Sequence, residues 1–160
     1  MKVKLDKKWW VLAFLFLLFL SAAMLWRKWF YTTGMEIHCA TTLHYDHAEP
    51  DFIATLEMNF RLDKNYEGLV ILSGVIETKT GEQIIARNIT FDYDVKKQGE
   101  VNVRNMVYKK MRRDTANDDY WATSFFYVPE GTSRQLQLTY IGNAWLIGNQ
   151  YSPVALCVNK

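Results

Sequence analysis

The sequence has few of the residues that favour disorder and none of the short motifs that mark a catalytic nucleophile. Only three prolines and eight glycines occur in 160 residues, which argues against a low-complexity or disordered chain. No Gly-x-Ser-x-Gly or Ser-x-x-Lys motif is present. Carboxylate pairs such as Asp92 and Asp94, or Asp118 and Asp119, are interpreted as solvated side chains. We therefore predict that the protein is not an enzyme.

Metal-ligand spacing and a strong imbalance of charge are also missing. Neither Cys-x-x-Cys nor His-Glu-x-x-His occurs, so we predict no metal site and no cofactor. The formal net charge is +2, and part of that excess comes from lysines at the N-terminus. The rest of the chain is nearly neutral, which does not favour direct binding of nucleic acid.

In contrast, residues 9–26 form one long apolar run without a charged side chain. As a helix this run would span about 27 Å, close to the hydrocarbon core of a bilayer at about 30 Å. Aromatic rings prefer the two membrane–water interfaces, and they flank this run on both sides: Trp9, Trp10, Trp26, Trp29, Phe30 and Tyr31. We predict a transmembrane helix over residues 9–26.

The distribution of positive charge predicts the orientation of this helix. Four lysines precede it, and Arg27 and Lys28 follow it. Because Lys and Arg favour the cytoplasmic side, we expect residues 1–8 to form a short cytoplasmic N-terminus of a single-pass protein of the bacterial inner membrane. Residues 27–34 would be a linker and residues 35–160 a periplasmic domain.

Two other interpretations of the apolar run were weighed. A cleaved signal peptide would also have a basic start and an apolar centre, with Ser21-Ala22-Ala23 as its cleavage site. Both this interpretation and the retained anchor export the same domain. A buried helix of a soluble protein would normally show a polar stripe, and this run shows none.

After residue 35 the pattern changes to the two-residue alternation of half-buried β-strands. Residues 52–62 show it most clearly, and residues 47–51 and 63–68 are interpreted as turns. Residues 120–128 are predicted to form an aromatic strand. About eight or nine short strands follow one another in this way, so the exported domain is predicted to be all-β, as a barrel or a sandwich.

Two cysteines, Cys39 and Cys157, lie near the two ends of the exported domain. An oxidising periplasm would allow them to form a disulfide, although a reactive or redox-sensing thiol is the functional alternative. A disulfide would bring the first and last strands together. That closure favours a barrel, while a sandwich with adjacent terminal strands stays open as an alternative.

Three histidines, His38, His44 and His47, lie within ten residues of one another. Along a strand His38 and His44 would be about 20 Å apart at roughly 3.3 Å per residue, too far to share a metal ion. Solvated polar side chains on an outer face are the plain interpretation. The sharper one is pH sensing, because histidine titrates in the mildly acidic range, with His44 and the nearby Asp46 as the best candidates.

Aromatic residues offer a second candidate site. Most should be core, but a hollow barrel could enclose a small apolar ligand, and its candidate lining is Phe60, Phe91, Tyr93, Phe126 and Tyr140. The basic run at residues 109–113 and the acidic residues after it are interpreted as solvated, with contact to a partner or to an anionic ligand as the alternative.

The layout as a whole resembles the FidL-like inner-membrane proteins, and within them the MyfF and PsaF fimbrial regulatory proteins. The features that carry the resemblance are the short basic start, one span that ends in Trp26–Phe30, and an exported β-domain of about 130 residues. Related accessory proteins of the ToxS and VtrC type form lipocalin-like barrels, so the resemblance implies such a barrel here.

The resemblance also implies a partner. It would be a ToxR-like single-pass transcription activator, whose periplasmic tail the accessory protein binds and stabilises as a heterodimer. The pair would relay acidity, temperature or a bile-like ligand to fimbrial and virulence genes. Two alternatives remain: a membrane-tethered binding module for a small apolar ligand, and a structural part of a fimbrial or secretion assembly.

Overall fold

The structure of the protein, a computed structural model, describes residues 7–31, 34–49, 51–97 and 99–160, without the side chains of residues 7–8 and 27–31. The chain divides into two compact units, Met1–Thr33 and Gly34–Lys160. Each unit is described by itself.

The first unit contains the helix α1, Lys7–Tyr31. Its segment Trp9–Trp26 is exposed all round and is long and apolar enough to cross a membrane. The helix extends beyond the predicted span, so residues 27–31 at the start of the predicted linker are helical. Residues 1–6 of the predicted cytoplasmic N-terminus, residues 32–33 of the predicted linker, and the side chains of the predicted aromatic belt at residues 29–31 lie outside what the structure describes.

The second unit is a closed antiparallel barrel of eight strands. In chain order these are β1 (Ile37–Ala48), β2 (Asp51–Leu62), β3 (Glu67–Thr78), β4 (Gly81–Val95), β5 (Glu100–Lys110), β6 (Arg134–Ile141), β7 (Ala144–Gly148) and β8 (Pro153–Asn159). Each strand pairs with the next, and β8 returns to pair with β1. The prediction of a barrel that follows one N-terminal apolar helix in the chain is confirmed. The alternative, a sandwich, is not observed.

Alternation along the strands builds the core. In β2 every second side chain from Phe52 to Leu62 faces inward and is buried, because successive side chains of a strand point to opposite faces. Gly68 lies directly under the ring of Phe91, and a Cβ atom at Gly68 would come within 2.1 Å of that ring. A glycine is therefore required there for Phe91 to turn inward.

The disulfide predicted between the ends of the domain is confirmed. Cys39 on β1 and Cys157 on β8 are bonded, their Cα atoms lie 5.3 Å apart, and both side chains face the core. The bond joins the first and last strands across the line where the barrel closes. Neither cysteine is free, so the thiol alternative does not apply to this structure.

The predicted strand over residues 120–128 is wrong. This region contains a short helix, α2 (Asp118–Ala122), followed by turns. Asn117 caps the helix by accepting the N–H of Asp119 at 3.2 Å, and such local side-chain bonds compete with strand pairing. We call residues 111–133 the cap segment. Three of its buried side chains belong to the barrel core cluster: Ala116, Trp121 and Phe126.

The first turn is also shorter than predicted. β1 continues to Ala48 and β2 starts at Asp51, and Glu49 after β1 is a turn residue. His47 is consequently part of β1 and pairs with Phe52 in the antiparallel register. His47 is therefore a strand residue and not the turn residue that the sequence predicts.

Candidate functional site

The barrel closes over only a short stretch. Within the described strands, β1 and β8 pair at two positions, Cys39 with Asn159 and Ala40 with Val158. The C=O of His38 also accepts the N–H of Lys160 at 3.1 Å. In contrast, β1 pairs with β2 along its whole length, from Ile37 to Ala48. Residues 41–48 of β1 therefore present an open edge toward β8, and we call the space between this edge and residues 153–156 of β8 the seam.

The polar groups of the β1 backbone face the seam at every second residue. The peptide groups of a strand point alternately to its two sides, and the register between β1 and β2 is regular. Because His38 and Ala40 face β8, the N–H and C=O groups of Thr42, His44 and Asp46 face the seam. The C=O of Thr42 accepts the hydroxyl of Thr41 at 3.5 Å, a bond within the strand. Edge groups that do not pair with a neighbouring strand are a template for another strand.

The edge of β8 offers the matching groups from the other side. Its register with β7 pairs Cys157 with Trp145 and Ala155 with Ile147, while the N–H of Asn159 donates to Asn143 at 3.0 Å. Alternation then turns the peptide groups of Val154 and Leu156 toward the seam. Both walls can thus form hydrogen bonds with an inserted extended segment.

A groove of about 500 Å³ occupies the seam, which is within the range of binding sites at 300–1,000 Å³. It has apolar walls and a partly polar rim. Three elements line it: residues 41–45 and His47 of β1, residues 123–126 of the cap segment, and residues 154–156 of β8. The groove is open at the surface, so an extended peptide could lie along it.

Ser124 contributes an unusual polar atom to this groove. Its side chain is buried, yet among the described residues its Oγ atom has no hydrogen-bond partner. The backbone around it is held in place, because the N–H of Ser124 donates to Trp121 at 2.9 Å. A buried hydroxyl without a partner costs about 1–3 kcal/mol, and an occupant of the groove could offset that cost. Nothing in the sequence pattern predicted this residue.

The predicted pH-sensing residues divide between two places. His44 and His47 line the seam, with Nδ1 of His44 3.0 Å from Oγ1 of Thr55 and the ring of His47 stacked on Phe52 at 5.2 Å. Asp46 is exposed on the same outward row as His44. His38 lies at the closed end, where its Nε2 is 3.7 Å from Asp63.

These residues do not converge on one point. Within the described part of the chain, no group of three or more His, Cys, Asp or Glu side chains is placed to hold a metal ion. All four residues belong to β1, and only His44 and His47 line the groove in the seam. Their part in pH sensing stays a prediction.

The candidate ligand-lining residues fill the barrel. Phe60, Phe91, Tyr93 and Phe126 face the interior and are buried. The cavity bordered by Phe60, Phe91 and Phe126 measures about 20 Å³, which is room for about one water molecule. An apolar ligand at this position would require Phe125 and Phe126 of the cap segment to move out.

Tyr140 was wrongly included in this lining. It continues the inward row of Leu136 and Leu138, but it lies near the end of β6 and is 56% exposed. Its ring packs on Trp145, with the centroids 5.0 Å apart. Alternation alone could not show that the row leaves the enclosed part of the barrel before it reaches Tyr140.

Tyr93 has a structural role in the interior. Its hydroxyl bonds to the C=O of Met35 at 2.9 Å and to that of Asp63 at 2.7 Å. Burial raises the pKa of the Tyr93 hydroxyl to about 12, so the phenol stays neutral. These bonds tie the segment before β1 to the turn after β2.

The charged run at residues 109–119 is not simply solvated, as the plain interpretation had it. Arg87 points into the barrel and binds Asp114 at 3.0 Å and Asp118 at 2.6 Å, and its guanidinium lies over the ring of Trp121. Nζ of Lys110 donates to the C=O of Ala116 at 2.8 Å. Hydrogen bonding and the nearby charge of Arg87 hold the pKa of Asp118 below its usual value. This network fastens the cap segment beside the seam.

One signal in the sequence could have revealed this network. Arg87 interrupts an otherwise apolar inward row between Ile85 and Ile89, and a buried charge needs a partner. The acidic residues after the basic run are the partners that the structure supplies.

Comparison with family models, curated proteins and solved structures finds no match to this chain.

Proposed function

We propose that this protein is a membrane-anchored accessory protein whose barrel binds an extended segment of another membrane protein by strand addition at the seam. The observation that carries the proposal is the open edge of β1 over residues 41–48. In strand addition, backbone hydrogen bonds supply affinity and side-chain pockets supply specificity. The seam offers both.

The dimensions of the seam favour a short extended segment over a compact ligand. Three β1 residues with seam-facing peptide groups, Thr42, His44 and Asp46, span about 13 Å at roughly 3.3 Å per residue. The groove follows β1 over residues 41–45 and His47. Its apolar floor and the hydroxyl of Ser124 would receive the inward side chains of the segment.

The partner we propose is a single-pass transcription activator of the ToxR-like kind, bound through its periplasmic tail. The apolar helix α1 could place the barrel beside such a tail, and the described chain contains no DNA-binding module of its own. A signal sensed at the barrel would then reach DNA through the partner, by shifting the population of the bound state. Fimbrial and virulence genes are the proposed targets.

A proline substitution tests the seam directly. Thr42→Pro removes an N–H that faces the seam, while the β1–β2 ladder keeps its bonds, and proline is tolerated on edge strands for this reason. Thr42→Val is the matched control, because it keeps the peptide N–H and a branched side chain. Both variants and the wild type would be purified as tagged full-length proteins from their own membranes in a gentle detergent.

We expect the wild type and Thr42→Val to retain a one-span protein with a DNA-binding domain, and Thr42→Pro to lose it. Equal recovery with all three would contradict strand addition at the seam. Recovery of the protein alone with a small apolar molecule would favour the tethered binding module. Recovery with an export apparatus would favour a structural component.

A further inference from the structure

The last three strands lie in a part of the chain without charge. Between Arg134 and Lys160 the sequence contains no Asp, Glu, Lys, Arg or His. This stretch includes β7 and β8 and all of β6 after its first residue. Such a long neutral stretch is unusual on the surface of a small barrel, because outward strand positions normally carry charge.

The other strands of the same barrel show the usual pattern. Outward positions of β2 to β5 carry charged residues of both signs: Glu57, Arg61, Glu67, Glu77, Asp92, Asp94, Arg104 and Lys109. On β8 the outward positions are Val154, Leu156 and Val158, all of them exposed, and on β6 the exposed outward residue at the end is Ile141.

An exposed aromatic residue borders this surface. Tyr151 in the turn between β7 and β8 is 93% exposed. The turn is held rigidly, because Oδ1 of Asn149 accepts the N–H groups of Tyr151 and Ser152, each at 2.8 Å. Rigid exposed aromatics are typical anchors of protein interfaces. We call the apolar outward residues of β6–β8 together with Tyr151 the neutral face: Ile141, Leu146, Tyr151, Val154, Leu156 and Val158.

We infer that the neutral face is a second contact surface for the partner, covered by an uncharged apolar surface of the same protein whose segment occupies the seam. This inference rests on the proposed function. The two sites are continuous, because β8 borders the seam with its edge and contributes Val154, Leu156 and Val158 to the neutral face. A partner strand that lies along β8 brings the rest of the partner to this face.

The charge of the neutral face favours a protein over a lipid surface. Surface binding to a bilayer usually combines apolar side chains with Lys or Arg that pair with anionic headgroups. The neutral face has no cation, so that contribution is missing. Burial of an uncharged protein surface against the neutral face costs little desolvation free energy, whereas burial of a charged surface without a counter-charge costs much more.

Photo-crosslinking from three positions tests this inference in the full-length protein within its own membranes. The crosslinker p-benzoyl-L-phenylalanine would replace Ile141 on the neutral face, Thr42 at the seam, or Ile71 as control. Ile71 is an exposed outward isoleucine two strands from β1, as Ile141 is two strands from β8. Adducts would be identified by mass spectrometry.

We expect the adducts at Thr42 and Ile141 to contain peptides of one and the same protein, and Ile71 to give no such adduct. A Thr42 adduct without one at Ile141 would overturn the inference and leave the proposed function intact. A phospholipid or a second copy of this chain at Ile141 would also overturn it. If no adduct forms at Thr42, the proposed function fails, and the inference fails with it.

A charge substitution provides an independent measurement. With the crosslinker at Thr42, Ile141→Lys should lower the yield of the partner adduct about fivefold, the change expected from about 1 kcal/mol at an interface. Ile71→Lys should leave the yield unchanged. Formation of the Cys39–Cys157 disulfide on a non-reducing gel verifies that both variants fold. Equal yields from two folded variants would contradict docking on the neutral face.

Discussion

The guanidinium of Arg87 lies 3.0 Å from the carboxylate of Asp114, and both side chains are almost completely buried, at 4% and 0% exposed. Arg87 belongs to β4, and Asp114 to the cap segment that follows β5. A buried ion pair adds little net stability over an apolar pair, but loss of one partner leaves an uncompensated charge. This pair therefore fixes where the cap segment sits, and with it one wall of the seam.

Removal of Arg87 should destabilise the barrel strongly. In Arg87→Ala the buried Asp114 carboxylate keeps the longer ion pair with Nζ of Lys110 at 3.6 Å, and the expected cost approaches that of a broken buried pair, about 3–5 kcal/mol. Arg104→Ala is the control, since its pair with Asp94 is solvent-exposed and such pairs contribute about 0–1 kcal/mol. Urea unfolding of the detergent-solubilised chain, followed by tryptophan fluorescence, measures both. A similar loss of unfolding free energy in the two variants would contradict the role of the buried Arg87–Asp114 pair in holding the cap segment.

Tyr93 should make the barrel sensitive to alkali. The folded-state pKa of its hydroxyl is raised to about 12, compared with about 10 in an unfolded chain. The stabilisation is therefore fully present below about pH 10 and is lost as the pH rises toward about 12. Near pH 9 the wild type should be more stable than Tyr93→Phe. The variant lacks the hydroxyl that bonds to the C=O of Met35, whereas the C=O of Asp63 still accepts the N–H of Tyr66.

The urea midpoints of the wild type and of Tyr93→Phe at several pH values measure this difference. We expect it to shrink between about pH 10 and pH 12. Tyr151→Phe, at an exposed tyrosine, should match the wild type throughout. A difference that does not change with pH would mean that ionisation of Tyr93 is not coupled to folding.

The disulfide should raise the thermal stability of the barrel. Cys39 and Cys157 are 118 residues apart, and closing a loop of about 100 residues is worth up to about 4.7 kcal/mol by the entropic account. The double variant Cys39→Ser, Cys157→Ser should have a lower melting temperature than the wild type. Addition of a reductant should lower the melting temperature of the wild type but not that of the double variant. A reductant effect on the double variant would point to another cause.

Acid should weaken partner binding through His44. A charged imidazolium beside a strand site for an apolar segment adds a desolvation cost, and the carboxylates that face it are Asp46 on β1 and, diagonally on β2, Glu57. We expect less partner to be retained at about pH 5.5 than at about pH 7.5, because the charged imidazole is the form that disfavours the bound segment.

The matched variants separate the histidines. His44→Gln should remove the pH response, whereas His38→Gln, at the closed end of the seam beside Asp63, should keep it. The retained partner is quantified at both pH values from the same membranes. If the triple replacement of His38, His44 and His47 leaves the response unchanged, the histidine mechanism is wrong.

Much of the architecture could be predicted from local pattern. The uncharged run at residues 9–26 indicated α1. The strand pattern placed a strand over each of the eight that form, and one more over residues 120–128 that does not form. The two cysteines at the ends of the domain indicated closure between β1 and β8. The helix and the strands are local features, because periodicity depends only on which faces of a segment are buried.

Other features were decided only in three dimensions. The aromatic content of residues 120–128 is typical of a strand. They form part of a short helix and the turns after it, because Asn117 caps the helix and Arg87 holds the segment by its buried ion pair. The seam depends on how far β8 runs beside β1, and the filled interior depends on Phe125 and Phe126 arriving from the cap segment. Strand alternation specifies which side chains point inward, but only long-range pairing determines which strand edge is left without a neighbour.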